Sequence, residues 1–186
     1  MPQVAIDRRD DPRIAAYLDV RERDLRGHDG CFLAEGDVVV ATALAHGRPL
    51  RSILISARRV AASAALLAQV PAEVPIYVAS QEVMDAVVGF PIHRGLLAVG
   101  ERGRDRTPAE LVAGLGPRAT VLVVVGVTNH DNLGGLFRNA AAFGVDAVLL
   151  DAATCDPLYR KALRVSVGGT LVVPDRMRMD IEIAKQ

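Results

Sequence analysis

What most constrains this chain is its alternation of short β-branched or leucine-rich runs with alanine-rich stretches, each bounded by Gly, Pro or a capping residue. Residues 31–34, 50–56, 75–79 and 95–99 read as strands. Between them, 37–46 ends at Gly47, 58–68 is rich in Ala and Leu, and 80–88 opens on Ser80; all three read as helices. Asp11-Pro12 opens an earlier helix carrying Ile14, Ala15 and Leu18. The resulting β-α-β-α-β-α-β order predicts an α/β layer with crossover helices. Residues 101–118 are charged and non-periodic apart from a short helix capped by Thr107-Pro108, and they read as a linker. A second α/β unit follows: a strand at 119–125 buried on both faces, a loop opening into a helix at 129–143, and a buried strand at 145–150. A helix at 156–166 with Pro157 in its first turn and a third strand at 170–173, ended by Pro174, complete it. The expected organisation is thus an α/β module at 1–100, a linker at 101–118 and the start of a second α/β domain at 119–186.

Composition narrows the function. With 186 residues the chain holds one large domain or two small ones at about 150 residues each. Lys+Arg and Asp+Glu both number 22, which excludes a strongly basic arm and an acidic disordered activator. Arginine outnumbers lysine 20 to 2, and arginine suits bidentate phosphate contacts, although such a bias also follows from base composition alone. The 4% aromatic content, with no Trp, leaves a core of Ala, Val and Leu and suits base-stacking platforms poorly. Cys31 and Cys155 are isolated, and His28, His46, His93 and His130 have no metal-ligand spacing, so neither a disulfide framework nor a metal site is expected. Apolar runs such as 38–41 and 121–125 fall far short of the ~20 residues a membrane helix needs, and the polar N-terminus has no signal-peptide core. These features predict a soluble cytoplasmic protein. Neither a Walker A nor a G-x-G-x-x-G motif occurs, so ATP and dinucleotides are not supported.

Residues 126–148 carry the strongest chemical signal: a strand end, a polar loop, Gly134-Gly135 at a helix start, and Arg138 one turn in. Glycines let backbone approach a ligand, helix-start amides favour an anion, and open α/β sheets take ligands beyond the carboxyl ends of their strands. The plainer alternative is a helix N-capped by Asp131 or Asn132 with a solvated Arg138; the residues alone leave the two at even odds.

The run from Asn132 to Gly144 resembles the first signature of the SpoU/TrmH class of SPOUT RNA methyltransferases, N-x-G-x-x-x-R-x-A-x-x-F-G, at Asn132, Gly134, Arg138, Ala140, Phe143 and Gly144. One strand later, Asp156, Pro157, Lys161, Arg164, Ser166 and Gly168 resemble its D-P-x-x-x-K-x-x-R-x-S-x-G segment. In the first half, 32–36 and 93–99 resemble the F-x-x-E-G and H-x-x-G-x-x-A-V segments of the family's accessory module.

The resemblance implies an α/β fold of trefoil-knot type, S-adenosylmethionine as methyl donor, a ribose 2′-hydroxyl of ribosomal or transfer RNA as acceptor, and a homodimer. It assigns catalysis to Arg138 with Asn132 as motif partner. An arginine stays protonated, which makes Arg138 an electrostatic activator rather than a general base. Arg8, Arg9, Arg21, Arg23 and Arg26 are the expected RNA contacts of the accessory module. Lys161 and Arg164 could hold RNA phosphate, with a solvated or ion-paired helix face as the stronger expectation; Ser166 and Gly168 are expected to shape the turn into the next strand. The family's glycine-rich, Glu-bearing loop and its later Asn-containing segment, which build the donor pocket, have no counterpart in 175–186. The resemblance thus places the cofactor-binding residues beyond Gln186. The expectation is therefore an inactive fragment of a longer methyltransferase that does not bind the donor. The alternatives are a non-catalytic RNA-binding protein of that ancestry or an unrelated doubly wound enzyme whose Asn-Gly-Gly loop binds phosphate.

Overall fold

The computed structural model describes residues 3–18, 30–89, 91–104 and 106–179, and these divide into two compact units at Arg102/Gly103. Arg21, Arg23, Arg26 and the tail 180–186, Gln186 included, lie outside the described residues.

The first unit is built on five strands: β1 (Gln3–Ile6), β2 (Cys31–Glu35), β3 (Leu50–Ser56), β4 (Ile76–Ala79) and β5 (Leu96–Glu101), in the order β1-β4-β3-β5-β2. β1, β4 and β3 are parallel, whereas β5 runs antiparallel to both β3 and β2. The sheet is therefore mixed rather than the crossover layer that the element order predicts. Strand β1 has no clear sequence signal: four residues carry too little pattern, and pairing with β4 makes them a strand. Leu33, Leu54 and Leu97 share one core with Ile6, Tyr17, Met84 and Val87, and the alternate residues Ile53, Ile55 and Ala98 are equally buried. Gly100 stands opposite Phe32, and a Cβ there would overlap the phenyl ring. Helix α1 (Asp37–Ala45) packs against β2 and β5. The helix expected at 58–68 is instead a 3-10 turn (Ala57–Arg59) and the short α2 (Ala64–Leu67). Helix α3 (Gln81–Val88), capped by Ser80, contributes Met84 and Val87 to the core. The segment after Asp11 is likewise 3-10, Pro12–Tyr17.

The second unit has three parallel strands, β6 (Val121–Val124), β7 (Ala147–Asp151) and β8 (Asp175–Met179), with β7 in the centre. Its helices are α4 (Pro108–Ala113), α5 (His130–Ala142), α6 (Arg160–Val165) and α7 (Gly169–Val172). Leu133, Phe137 and Ala140 of α5 pack with Val124, Val148 and Leu150, while Leu111 of α4 packs with Ala147 and Leu149. Both faces of β7 are thereby covered. β6 is not buried on both faces as expected: Val123 is 52% exposed, because this strand is the sheet edge.

The expected strand at 170–173 is also corrected. Gly169–Val172 is a helical turn wedged against α5, and the third strand begins after Pro174, whose carbonyl accepts from Val148 N at 3.0 Å. Local β-propensity loses to tertiary packing here.

Candidate active site

β6 leads into a loop whose backbone is held by the end of the neighbouring strand. Asp151, 2% exposed at the carboxyl end of β7, accepts hydrogen bonds from Gly126 N (3.1 Å), Thr154 N (2.8 Å) and the Thr154 hydroxyl. Thr154 Oγ1 accepts from Val127 N at 3.3 Å, and Cys155 N donates to Val127 O at 2.9 Å. The Thr154 hydroxyl first, then the Gly126 amide, hold the Asp151 carboxyl below the ordinary carboxylate range against the opposing effect of desolvation. Sequence reasoning missed this clamp; its one sequence signal is an acid at the end of a buried strand with Thr three residues on.

Two residues past the clamp, Asn129 caps α5. Its side-chain oxygen accepts from Asp131 N (2.8 Å) and Asn132 N (3.2 Å), so neither Asp131 nor Asn132 is the N-cap. Asn129 takes this place because it holds the extended backbone that precedes the first helical turn.

The inner face of α5 is seated by two glycines. A Cβ on Gly134 would lie 2.8 Å from both Ala162 O and Val165 Cβ, so Gly134 admits α6 rather than a ligand. A Cβ on Gly169 would lie 2.9 Å from Phe137 O, which brings α7 against the residue preceding Arg138. The turn between α6 and α7 stands in the left-handed region at two successive residues, Val167 (φ 56°) and Gly168 (φ 83°), and a β-branched residue there is strained. Buried Ser166 anchors it, its hydroxyl donating to Leu163 O at 3.0 Å. Ser166 and Gly168 thus shape a turn into a helix, not into a strand.

The outer face carries the candidate residues. Asn132 and Arg138 are both exposed, but six residues on one helix separate them by about 9 Å along the axis and about 120° around it. They do not meet. Lys161 of α6 reaches back to α5, Nζ lying 2.6 Å from Asp131 Oδ2, as an ion-paired face requires. The adjacent rings of His130 and Tyr159 stand 4.2 Å apart. Half-buried Arg164 is already engaged within the fold. In the first unit Arg8 and Arg9 follow β1, exposed, and Arg8 is bound by Asp10, its Nε 2.9 Å from Oδ1.

A parallel α/β unit that presents an arginine on the outside of a helix locked from within has the architecture of the SPOUT-class RNA methyltransferases. Residues 119–184 match the SpoU rRNA methylase family. An uncharacterised tRNA/rRNA methyltransferase of Mycobacterium tuberculosis is 42% identical over 169 residues, 89% of this chain and 57% of that protein. The 23S rRNA (guanosine-2′-O-)-methyltransferase RlmB of Yersinia pestis is 36% identical over 101 residues, 53% of this chain and 41% of its own length. The AdoMet-bound rRNA methyltransferase of Sinorhizobium meliloti shares the fold at TM-score 0.76 and 19% identity, over 97% of this chain and 67% of that one. The chain therefore spans little more than half the length of the mycobacterial relative.

No orphaned polar group marks a site for S-adenosylmethionine among the described residues of the second unit. Among its described residues no buried side-chain N or O atom lacks a partner, and the Gly126, Val127 and Cys155 amides at the strand ends are all taken.

Proposed function

We propose that this protein is an RNA 2′-O-ribose methyltransferase that takes its methyl group from S-adenosylmethionine, with Arg138 as the catalytic residue and Asn132 as its motif partner. The observation that carries this reading is Arg138 itself, exposed at the family-signature position on a helix whose inner face is fixed by Gly134 and Gly169. A ribose hydroxyl is a weak nucleophile, and a fixed guanidinium beside it stabilises the negative charge that develops on the oxygen. Arg138 holds its proton throughout and does not act as the base. S-adenosylmethionine, when bound, supplies the methyl group. The acceptor is ribosomal or transfer RNA, gripped by arginines of the first unit, and the family resemblance extends the proposal to a cytoplasmic homodimer.

The test is a deletion strain whose ribosomal and transfer RNA are mapped by alkaline hydrolysis, which spares the linkage beside a 2′-O-methyl group. Loss of one protected position, restored by the wild-type gene and not by Arg138→Ala, is expected. Unchanged RNA would refute the activity. The engaged Gly126, Val127 and Cys155 amides at the strand ends favour a second reading, a non-catalytic RNA binder of the same ancestry. Calorimetry with S-adenosylmethionine decides between them: this reading requires no measurable heat, and micromolar binding would exclude it.

A further inference from the structure

Four strands of the first unit end at one rim of its sheet. β1, β4 and β3 end in register at Ile6, Ala79 and Ser56, and β2 ends beside them at Glu35. β5 begins at the same rim, where Ser56 N donates to Gly95 O at 2.8 Å and Gly36 N donates to Leu96 O at 2.9 Å. The segments 32–36 and 93–99, singled out separately in the sequence, meet here. Arg94 lies over Gly36, so that a Cβ on that glycine would come within 2.8 Å of Arg94 Cδ. Arginines flank the strand ends: Arg8 after β1, Arg58 and Arg59 after β3, and Arg94 before β5. Five strands span about 19 Å at the usual spacing.

These arginines are not equivalent. Arg8 is bound by Asp10 through two nitrogens. Arg59 Nη2 donates to Asp37 Oδ2 at 2.7 Å, and the same carboxylate accepts from Ser63 Oγ at 2.5 Å. Arg58 and Arg94 are exposed and, among the described residues, have no ion-pair partner. Between them lie two buried donors without partners, Ser56 Oγ and Arg59 Nε. Both border Gly95, whose Cβ would fall 3.1 Å from Ser56 Oγ and 3.0 Å from Arg59 Cγ. Two acids stand at this end of the rim: the Asp37 oxygens are committed to Arg59 and Ser63, and Glu35 at the end of β2 is buried and engaged within the fold.

We infer that the rim formed by Arg58, Arg59 and Arg94 around Gly36 and Gly95 binds the phosphodiester backbone of RNA. The inference rests on the methyltransferase reading and locates its RNA contact on the β3–β5–β2 side of the sheet. Guanidinium forks match phosphate oxygens two at a time, and the carboxyl ends of α/β strands are where such sheets take ligands. Phosphate contacts of this kind set position and affinity, not sequence.

The test uses the whole chain and a fluorescein-labelled stem–loop RNA, titrated by anisotropy at several salt concentrations. The double variant Arg58→Gln/Arg94→Gln is expected to weaken binding about tenfold and to flatten the slope of log K against log salt by about 1.4 if the contacted segment is single-stranded. Arg58→Gln alone, which leaves the cover over Gly36 in place, should show about half that slope change. Arg51→Gln, at the opposite end of β3 and paired there with Glu101, should bind like the wild type. Wild-type affinity and slope in the double variant overturn the rim and leave the methyltransferase reading standing. Equal weakening by Arg51→Gln also overturns it, in favour of unspecific charge attraction. A wild-type chain that binds no RNA removes both.

Discussion

Gly134 and Gly135 are adjacent in α5, and substituting alanine at each should shift stability in opposite directions. At Gly135 a Cβ meets nothing within 4 Å, so alanine brings only its helix propensity, about 0.5–1 kcal/mol of stabilisation. At Gly134 the same propensity gain is opposed by contacts at 2.8 Å with Ala162 O and Val165 Cβ. One of these atoms is backbone, so relief requires α6 to move away from α5. Forcing a methyl group into a packed contact costs about 1–3 kcal/mol, which leaves Gly134→Ala destabilised by up to about 2.5 kcal/mol after the propensity gain. The shared propensity gain cancels, so the two variants should differ by the packing cost alone, roughly 1–3 kcal/mol, or roughly 2–12 °C in Tm. Urea unfolding followed by circular dichroism, with thermal melts in parallel, measures both. Should Gly134→Ala prove as stable as Gly135→Ala, the close approach of α6 is not what fixes α5, and the account of Gly134 fails.

Arg138→Ala should lose the ability to restore methylation while unfolding at the wild-type urea concentration, since an exposed helical arginine adds little to stability. Asn129→Ala removes two hydrogen bonds to the first amides of α5 and should cost about 1 kcal/mol by urea titration, whereas Asn129→Ser or Asn129→Asp keeps most of it. Because the Asp151 carboxyl is held below its ordinary value, its contribution is complete above the unfolded value of about 4. That contribution fades as pH falls through the lower folded value, and Asp151→Asn should unfold with a flatter acid dependence below pH 4 than the wild type. Thr154→Val should cost about 1–3 kcal/mol by leaving Asp151 short of a donor, and Thr154→Ser should recover most of that. An acid limb unchanged by Asp151→Asn would show that the clamp is not a buried carboxylate site.

Several elements follow from the sequence alone because their signals are local. The alternation of apolar runs and capped stretches is enough for β2 to β7, for α1 and for α3, whose Ser80 cap and terminal glycine lie within one short segment. The site helix belongs to the same class: the order Asn132, Gly134, Arg138, Phe143, Gly144 is a pattern of neighbours, legible without any knowledge of what packs against it. Tertiary structure decided the rest, since each remaining feature depends on a residue far away in the chain. Residues 170–173 have strand-like composition, but Gly169 fits against Phe137 O and winds them into α7, which delays the strand to Asp175. The helix-start glycine resembles a ligand-approach site until α6 is seen to occupy the space. β6 is as apolar as a central strand, yet half of Val123 is open because no strand follows on that side among the described residues. Asp151 carries no motif, and only the return of β7 beside β6 brings its carboxylate to Gly126. Composition and periodicity record what each segment prefers by itself; burial, register and the partners of buried polar groups arise only when segments distant in sequence share the same space.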